Sequence, residues 1–212
     1  MKHISFAMGI AAVLAACGGV SAPSTDGDGG DGGGYDSGGL DAGRDALDIT
    51  TLESCEGPGT CVLGAPGCCG AGCGTPPLAT FVPIHWDKQQ ALRDGTCDPA
   101  QAGMCPGCAS MPEPNYQAFC RSTKCEGVDV RTDAISSCTA DTDCTLRYAS
   151  CCEPCGAPEF GLVALRPDAR ADFRAQVCLP NAGACSKCLV GYPATKKATC
   201  NTTTGHCVVT TN

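Results

Sequence analysis

The chain has little of what most enzymes and most hydrophobic cores are made from. Of its 212 residues only three are histidine, aromatic residues make up 5 % and there is a single tryptophan, against 28 glycines and 15 prolines. A large aromatic-rich core is therefore excluded, and any unit of this chain needs reinforcement from elsewhere. Basic residues are outnumbered 14 to 22, for a formal net charge of −8, so we expect no nucleic-acid partner. The leading apolar stretch, Ile4 to Ala16, is too short to cross a bilayer as a stable helix.

What the chain does have is cysteine, and twenty of its 21 cysteines fall into two sets of ten in the same order. The first set is Cys55, Cys61, Cys68, Cys69, Cys73, Cys97, Cys105, Cys108, Cys120 and Cys125. The second is Cys138, Cys144, Cys151, Cys152, Cys155, Cys178, Cys185, Cys188, Cys200 and Cys207. Matched positions are offset by 80 to 83 residues throughout, which marks an internal repeat with short insertions or deletions. An even number in each set lets each module close its own bridges. We assign all twenty to disulfides.

The odd cysteine is Cys17. Residues 1–16 read as a secretory signal, with Lys2 as the positive start and an apolar run behind it. The segment Leu14-Ala15-Ala16-Cys17 resembles the lipobox of bacterial lipoproteins. The resemblance implies export, cleavage before Cys17 and anchoring through acyl groups on that residue. Gly18, where an Asp would signal inner-membrane retention in that family, makes the outer membrane the expected location, on its periplasmic or cell-surface side. An ordinary signal peptide cut after Ala22 is the alternative.

Residues 17–54 change character. They hold the lipidated cysteine and a Gly/Asp-rich stretch with almost nothing to bury, which cannot offset the entropy of ordering and reads as a disordered tether. It carries a net charge of −7, against −2 for the two modules together. A Gly-rich coil of this length places the first module about 30 to 35 Å from the membrane. A calcium reading fails: counted from Asp26, an EF-hand would need an oxygen ligand at Gly30, a glycine at Asp31 and a glutamate at Ser37.

Residues 55–133 and 134–212 form the two modules, and the fold class they predict is small and disulfide-rich: tandem modules of short β-strands and hairpins with one short helix each. Neighbouring cysteines are too close to bridge one another, so Cys68 and Cys69, like Cys151 and Cys152, each need a partner elsewhere. Ten cysteines allow about 945 connectivities, and spacing does not choose among them. Whether Cys120 pairs with Cys125, and Cys200 with Cys207, is open. Phe81-Val-Pro-Ile84 aligns with Leu162-Val-Ala-Leu165 as a strand, Asp87 with Asp168 as a helix start, and Leu92 with Phe173 as the apolar anchor of a two-turn helix. The segments Cys55 to Cys61 and Cys138 to Cys144 put turn residues ahead of a strand, and a terminal hairpin closes each unit. Residues 131–137 are a short joint that holds the modules as a close pair and leaves open whether they pack.

Few residues invite chemistry. Cys105-Pro-Gly-Cys108 and Cys185-Ser-Lys-Cys188 have C-x-x-C spacing, but prolines follow both and no thioredoxin-like βαβ pattern surrounds them. With Cys152-x-x-Cys155 the second module has two clips that zinc could use; outside the cytoplasm structural bridges are favoured. His85 and His206 correspond to Arg166 and Lys124 in the opposite repeat, lie near no nucleophile elbow, and read as exposed surface residues. Trp86, replaced by Pro167 in the second module, reads as gap-filling core with a binding patch beside Phe81 as the lesser reading. Asn201-Thr-Thr fits a glycosylation sequon, which the lipobox argues against. We assign no catalytic residue, no metal and no cofactor, and expect no enzyme.

The stretch from Cys138 through Asp141, Asp143 and Cys144 to Cys151-Cys152-x2-Cys155 resembles part of the whey acidic protein four-disulfide core, a family that includes protease inhibitors. The likeness covers about 20 residues; the spacing before the double cysteine is longer by one, and each unit has ten cysteines where that family has eight. No inhibitory residue transfers. Tandem ten-cysteine units behind a lipobox and tether are more similar to cysteine-rich surface lipoproteins of Gram-negative bacteria. The expected function is thus a non-enzymatic cell-envelope lipoprotein, membrane-anchored at Cys17 and displaying two binding or structural modules to a protein or glycan partner. A protease inhibitor is the alternative and a metal-binding module the third reading.

Overall fold

A computed structural model describes residues 47–97, 105 and 113–212. The signal segment, Cys17, most of the tether and Cys108 lie outside the described residues.

The aligned apolar runs form short strands in both halves, each leading through a 3-10 turn into a helix; Ile84 is the buried residue of the first run and all four residues of the second are buried. The first half runs β1 (Cys61–Gly64), β2 (Val82–His85), α1 (Gln89–Thr96), β3 (Tyr116–Arg121) and β4 (Lys124–Asp129). The second repeats the order with β5 (Thr145–Tyr148), β6 (Leu162–Leu165), α2 (Arg170–Val177), β7 (Lys196–Asn201) and β8 (His206–Thr211). Each half holds two antiparallel pairs, β1 with β2 and β3 with β4, then β5 with β6 and β7 with β8. The protein is a small disulfide-rich fold, as the cysteine density predicts.

Strand β2 starts one residue later than the apolar run because Phe81 closes a 3-10 turn, its N–H donating to the Leu78 carbonyl at 3.0 Å. The helix-start aspartates behave alike in both halves. Each sits in a 3-10 turn, Trp86–Lys88 or Pro167–Ala169, that leads into the helix. Rather than cap, each pairs with the residue two before it: Asp87 with His85 Nδ1 at 2.5 Å, and Asp168 with the Arg166 guanidinium at 2.8 and 2.9 Å. Both helices are eight residues long, two turns, and the expected anchors Leu92 and Phe173 are their buried residues.

The terminal hairpins differ at the tip. Between β3 and β4 only Ser122 and Thr123 turn the chain, both at positive φ (49° and 66°), the left-handed geometry that a two-residue turn between right-twisted strands requires. Between β7 and β8 four residues intervene and Gly205 takes the positive φ. In both, the opening segment lies beside the tip: Cys55 N–H donates to the Thr123 carbonyl at 2.9 Å and Cys138 N–H to the Gly205 carbonyl at 2.8 Å.

The two halves share a core. Phe119, Val128 and Val130 of the first half pack with Val163, Leu165, Ala169 and Phe173 of the second in one buried cluster. Phe119 meets Phe173 edge-on, ring centroids 6.0 Å apart; the Arg121 guanidinium lies over the Phe119 ring and that of Arg147 over the Phe173 ring. The joint takes part: Ser136 is fully buried and Arg166 N–H donates to the Ile135 carbonyl at 2.9 Å. The Gln176 amide reads the backbone of β3, accepting from Cys120 N–H at 3.0 Å and donating to its carbonyl at 3.5 Å. Smaller clusters, Leu52 with Ile84 and Leu92, and Ala118 with three cysteines, belong to the first half alone.

Gly59 is the tightest point of this seam. Its φ is +79°, and a Cβ there would lie 2.1 Å from the Cys178 carbonyl oxygen and 2.9 Å from that of Ala175, backbone atoms at the end of α2. Gly59→Ala is expected to destabilise the protein by about 3 kcal/mol, combining left-handed strain with overpacking against backbone. Denaturant unfolding under non-reducing conditions checks this, and a change within about 0.5 kcal/mol would show that the seam does not close as described.

Candidate functional site

The cysteines are the first candidates, and the structure gives the bridges the spacing left open. In the first half Cys55 pairs with Cys120, Cys61 with Cys125, Cys68 with Cys97 and Cys69 with Cys105, and Cys73 is disulfide-bonded as well. In the second, Cys138 pairs with Cys200, Cys144 with Cys207, Cys151 with Cys178, Cys152 with Cys185 and Cys155 with Cys188. Every bridge described in the first half has its counterpart in the second. Adjacent cysteines part company as sterics demand. Cys120 and Cys125, like Cys200 and Cys207, face each other across their hairpins yet bridge back to the opening segment instead.

This pairing decides the use of the C-x-x-C clips in the second half. Cys152-x-x-Cys155 and Cys185-x-x-Cys188 are joined to each other by two parallel crosslinks with Cα atoms 5.2 and 5.6 Å apart. Among the described residues three trios of cysteine sulfurs do come within 4.8 Å, for example Cys151, Cys152 and Cys185. Each contains a bonded pair beside a sulfur of the neighbouring bridge, and a disulfide sulfur offers neither thiolate charge to a metal nor a nucleophile.

Neither histidine is freely exposed, which corrects the reading from sequence. The His85 side chain is 19 % exposed and is held by Asp87, whose pKa the hydrogen bond to that ring lowers. His206 lies on the joint: strand β8 brings it beside Ser137, and its Nδ1 is 3.0 Å from the Ser136 hydroxyl. A serine beside a histidine suggests a nucleophile, but Ser136 is 0 % exposed and its hydroxyl lies 3.0 Å from the Asp133 carbonyl, to which it donates. The hydroxyl is thus held between the Asp133 carbonyl and the imidazole, in a position that no substrate reaches. Trp86 is half-buried against His85, and Phe81 lines a separate apolar groove between the halves with Tyr116, Val177 and Leu179.

The site with unabsorbed chemistry is a cleft of about 370 Å³ in the second half, lined by Arg147, Glu153, Arg170, Arg174 and Ser186 beside Cys151 and Cys185. Strand β5 supplies Arg147; α2 supplies Arg170 and Arg174, four apart and therefore on one helix face. Arg147 is only 2 % exposed. It lies over the Phe173 ring at 4.8 Å from the centroid, and its Nη1 donates to the Tyr148 carbonyl at 2.8 Å. Burial lowers its pKa; the Glu153 charge opposes this, and the positive charges of Arg170 and Arg174 add to it. It nevertheless stays a cation at any physiological pH.

Glu153 is the counter-charge. Its carboxylate accepts from Arg170 Nη2 at 3.0 Å and from the Tyr192 hydroxyl at 2.6 Å, and Arg170 also reaches that hydroxyl at 2.9 Å. Burial works against the charged form, but the hydrogen bonds from Tyr192 and the Tyr148 N–H, with the charges of Arg147 and Arg170, outweigh it and hold the pKa below the ordinary carboxylate value. Tyr192 stacks on Tyr148 at 5.6 Å between centroids, and burial together with its bond to Glu153 raises its pKa, so it stays a neutral donor. Among the described residues only Arg170 of the three arginines has a carboxylate within ion-pair distance, at Glu153.

The first half has the equivalent cleft with three of its four charges missing. There about 250 Å³ is lined by Gly64, Gly70, Gln89 and Arg93, the repeat equivalents of Arg147, Glu153, Arg170 and Arg174. At Gly64 a Cβ would lie 2.4 Å from Leu92 Cδ2, so any side chain there requires Leu92 to move aside. Where Leu92 folds down onto a glycine, Phe173 lies flat under an arginine. None of this set stood out in the sequence, where its members are scattered from 147 to 192; setting the repeats side by side and asking where charge replaces glycine would have found it.

No family model, curated protein or solved structure matches this chain.

Proposed function

We propose that the chain is a non-enzymatic envelope lipoprotein, anchored through acyl groups on Cys17, that carries its duplicated disulfide-rich body on an acidic tether as a binding scaffold. The observation that carries this reading is the contrast between the halves: the described bridges of the first half all recur in the second, while one equivalent cleft gathers four charged side chains and the other keeps only Arg93. Duplication with retained crosslinks and altered lining is what a scaffold shows when its surfaces are free to change. Two further observations agree: the candidate Ser136 is sealed off, and disulfides at this density suit an oxidising compartment.

The test is fractionation of a bacterial host expressing the full chain, with a thiol count on the purified protein. The wild-type protein is expected in the membrane fraction with no free thiol in residues 55–207, and Cys17→Ala is expected in the soluble extracytoplasmic fraction. Recovery from the cytoplasm, or several free thiols at equivalent positions of both repeats, would sink the reading.

A further inference from the structure

We infer that the arginine cleft of the second half is a binding site for one tetrahedral oxyanion, a phosphate or sulfate group, with no equivalent in the first half. This rests on the scaffold reading above and specifies its ligand.

The charge of the cleft is the first argument. Three arginines face one glutamate, a formal +2, and Arg170 is the one that Glu153 neutralises. Arg147 and Arg174 are left with donors and no carboxylate partner among the described residues. Holding like charges beside one another costs stability unless something of opposite sign enters, and a dianion matches the surplus.

Shape and preorganisation are the second. Arg147 is fixed from below by the Phe173 ring and from the side by the carbonyls of Tyr148 and Ser150, and Arg170 is fixed by Glu153 and Tyr192. Both guanidiniums are thus oriented before any ligand arrives, which reduces the ordering cost of binding. Arginines approaching from a strand and from a helix suit an anion with acceptors in several directions. A planar carboxylate is satisfied by one guanidinium fork. The Ser186 hydroxyl on the rim is a further donor of the kind such anions take.

The comparison between halves is the third. Three of the four charged positions are neutral in the first half, as Gly64, Gly70 and Gln89, so the repeat that shares the bridges lacks the site. The stoichiometry is therefore one per chain and not two.

The experiment is titration calorimetry of inorganic phosphate, and separately sulfate, into the oxidised full chain in micelles at low ionic strength. Saturable binding of one equivalent is expected. Arg174 is exposed, so Arg174→Gln leaves the near-ultraviolet dichroism unchanged while weakening binding about tenfold or more. Glu153→Gln keeps hydrogen-bonding capacity, removes the negative charge and tightens binding; a purely structural network would show no such gain. Short-chain phosphatidic acid and phosphatidylcholine distinguish the source: competition by the former alone extends the site to phosphate monoesters on lipids, and competition by neither restricts it to free anions. Absence of saturable binding, two equivalents per chain, or an unchanged affinity in Arg174→Gln overturns the proposal. Those failures leave membrane retention and thiol count untouched, so they are distinguishable from failure of the scaffold reading.

Discussion

Replacing Cys144 and Cys207 together by alanine is expected to lower stability by about 4 kcal/mol, measured by denaturant unfolding without reductant. The bridge spans 63 residues, and closing a loop of that length removes much of the freedom of the unfolded chain. Cys207 is also 1 % exposed, so its sulfur fills space in the core beneath the terminal hairpin. A unit of this size has a stability of roughly 5 to 15 kcal/mol, so one such loss is a large fraction of the whole. The equivalent change at Cys61 and Cys125, a bridge of 64 residues, is expected to act alike. A loss below about 1 kcal/mol would mean that apolar packing alone holds the hairpin, against the chain-entropy argument.

Phe173→Ala is expected to cost about 4 kcal/mol, at the upper end for a single side chain. Phe173 is 0 % exposed and belongs to the cluster built from both halves, so its loss opens a cavity where they meet and removes the edge-on contact with Phe119. The same ring is the platform for Arg147, so the variant that weakens the seam is expected also to abolish phosphate binding. Leu92→Ala, the equivalent change in the first half, removes packing within that half only. It is expected to destabilise while leaving binding intact. Loss of binding in both variants would mean that global loosening, and not the Phe173 platform, governs the cleft.

Much of the scaffold was legible because its signals are local. A strand of four apolar residues, a short helix anchored at Leu92 or Phe173, and turn residues ahead of β1 and β5 all follow from pattern and propensity within a few positions. The double cysteines announced that neighbours must diverge. The connectivity was not legible, since which cysteine meets which depends on how the hairpin folds back onto the opening segment, a contact across more than 60 residues. Nor was the shared core: Phe119 and Phe173 lie in different repeats, and nothing in the repeat pattern says that they meet. The exposed reading of His206 failed for a similar reason, because β8 carries it onto the joint, where Ser136 is buried. The cleft combines residues from a strand, a helix and two loops, so composition had no means of assembling it.

The matched bridges also create a sorting problem. Cys55 has the same geometric role as Cys138, and Cys120 the same as Cys200, so a crossed bridge between halves would be nearly isosteric with a correct one. Under the proposed export, N-terminus first, order of emergence would resolve it: Cys125, the last cysteine of the first set, precedes Cys138, the first of the second, so one half would oxidise before its twin emerges. With Cys120 committed to Cys55, the finished hairpin would offer Phe119 as a surface for α2 of the later half, whose Phe173 packs against it. Fidelity would then be a matter of timing, and emergence in the opposite order would be expected to scramble it.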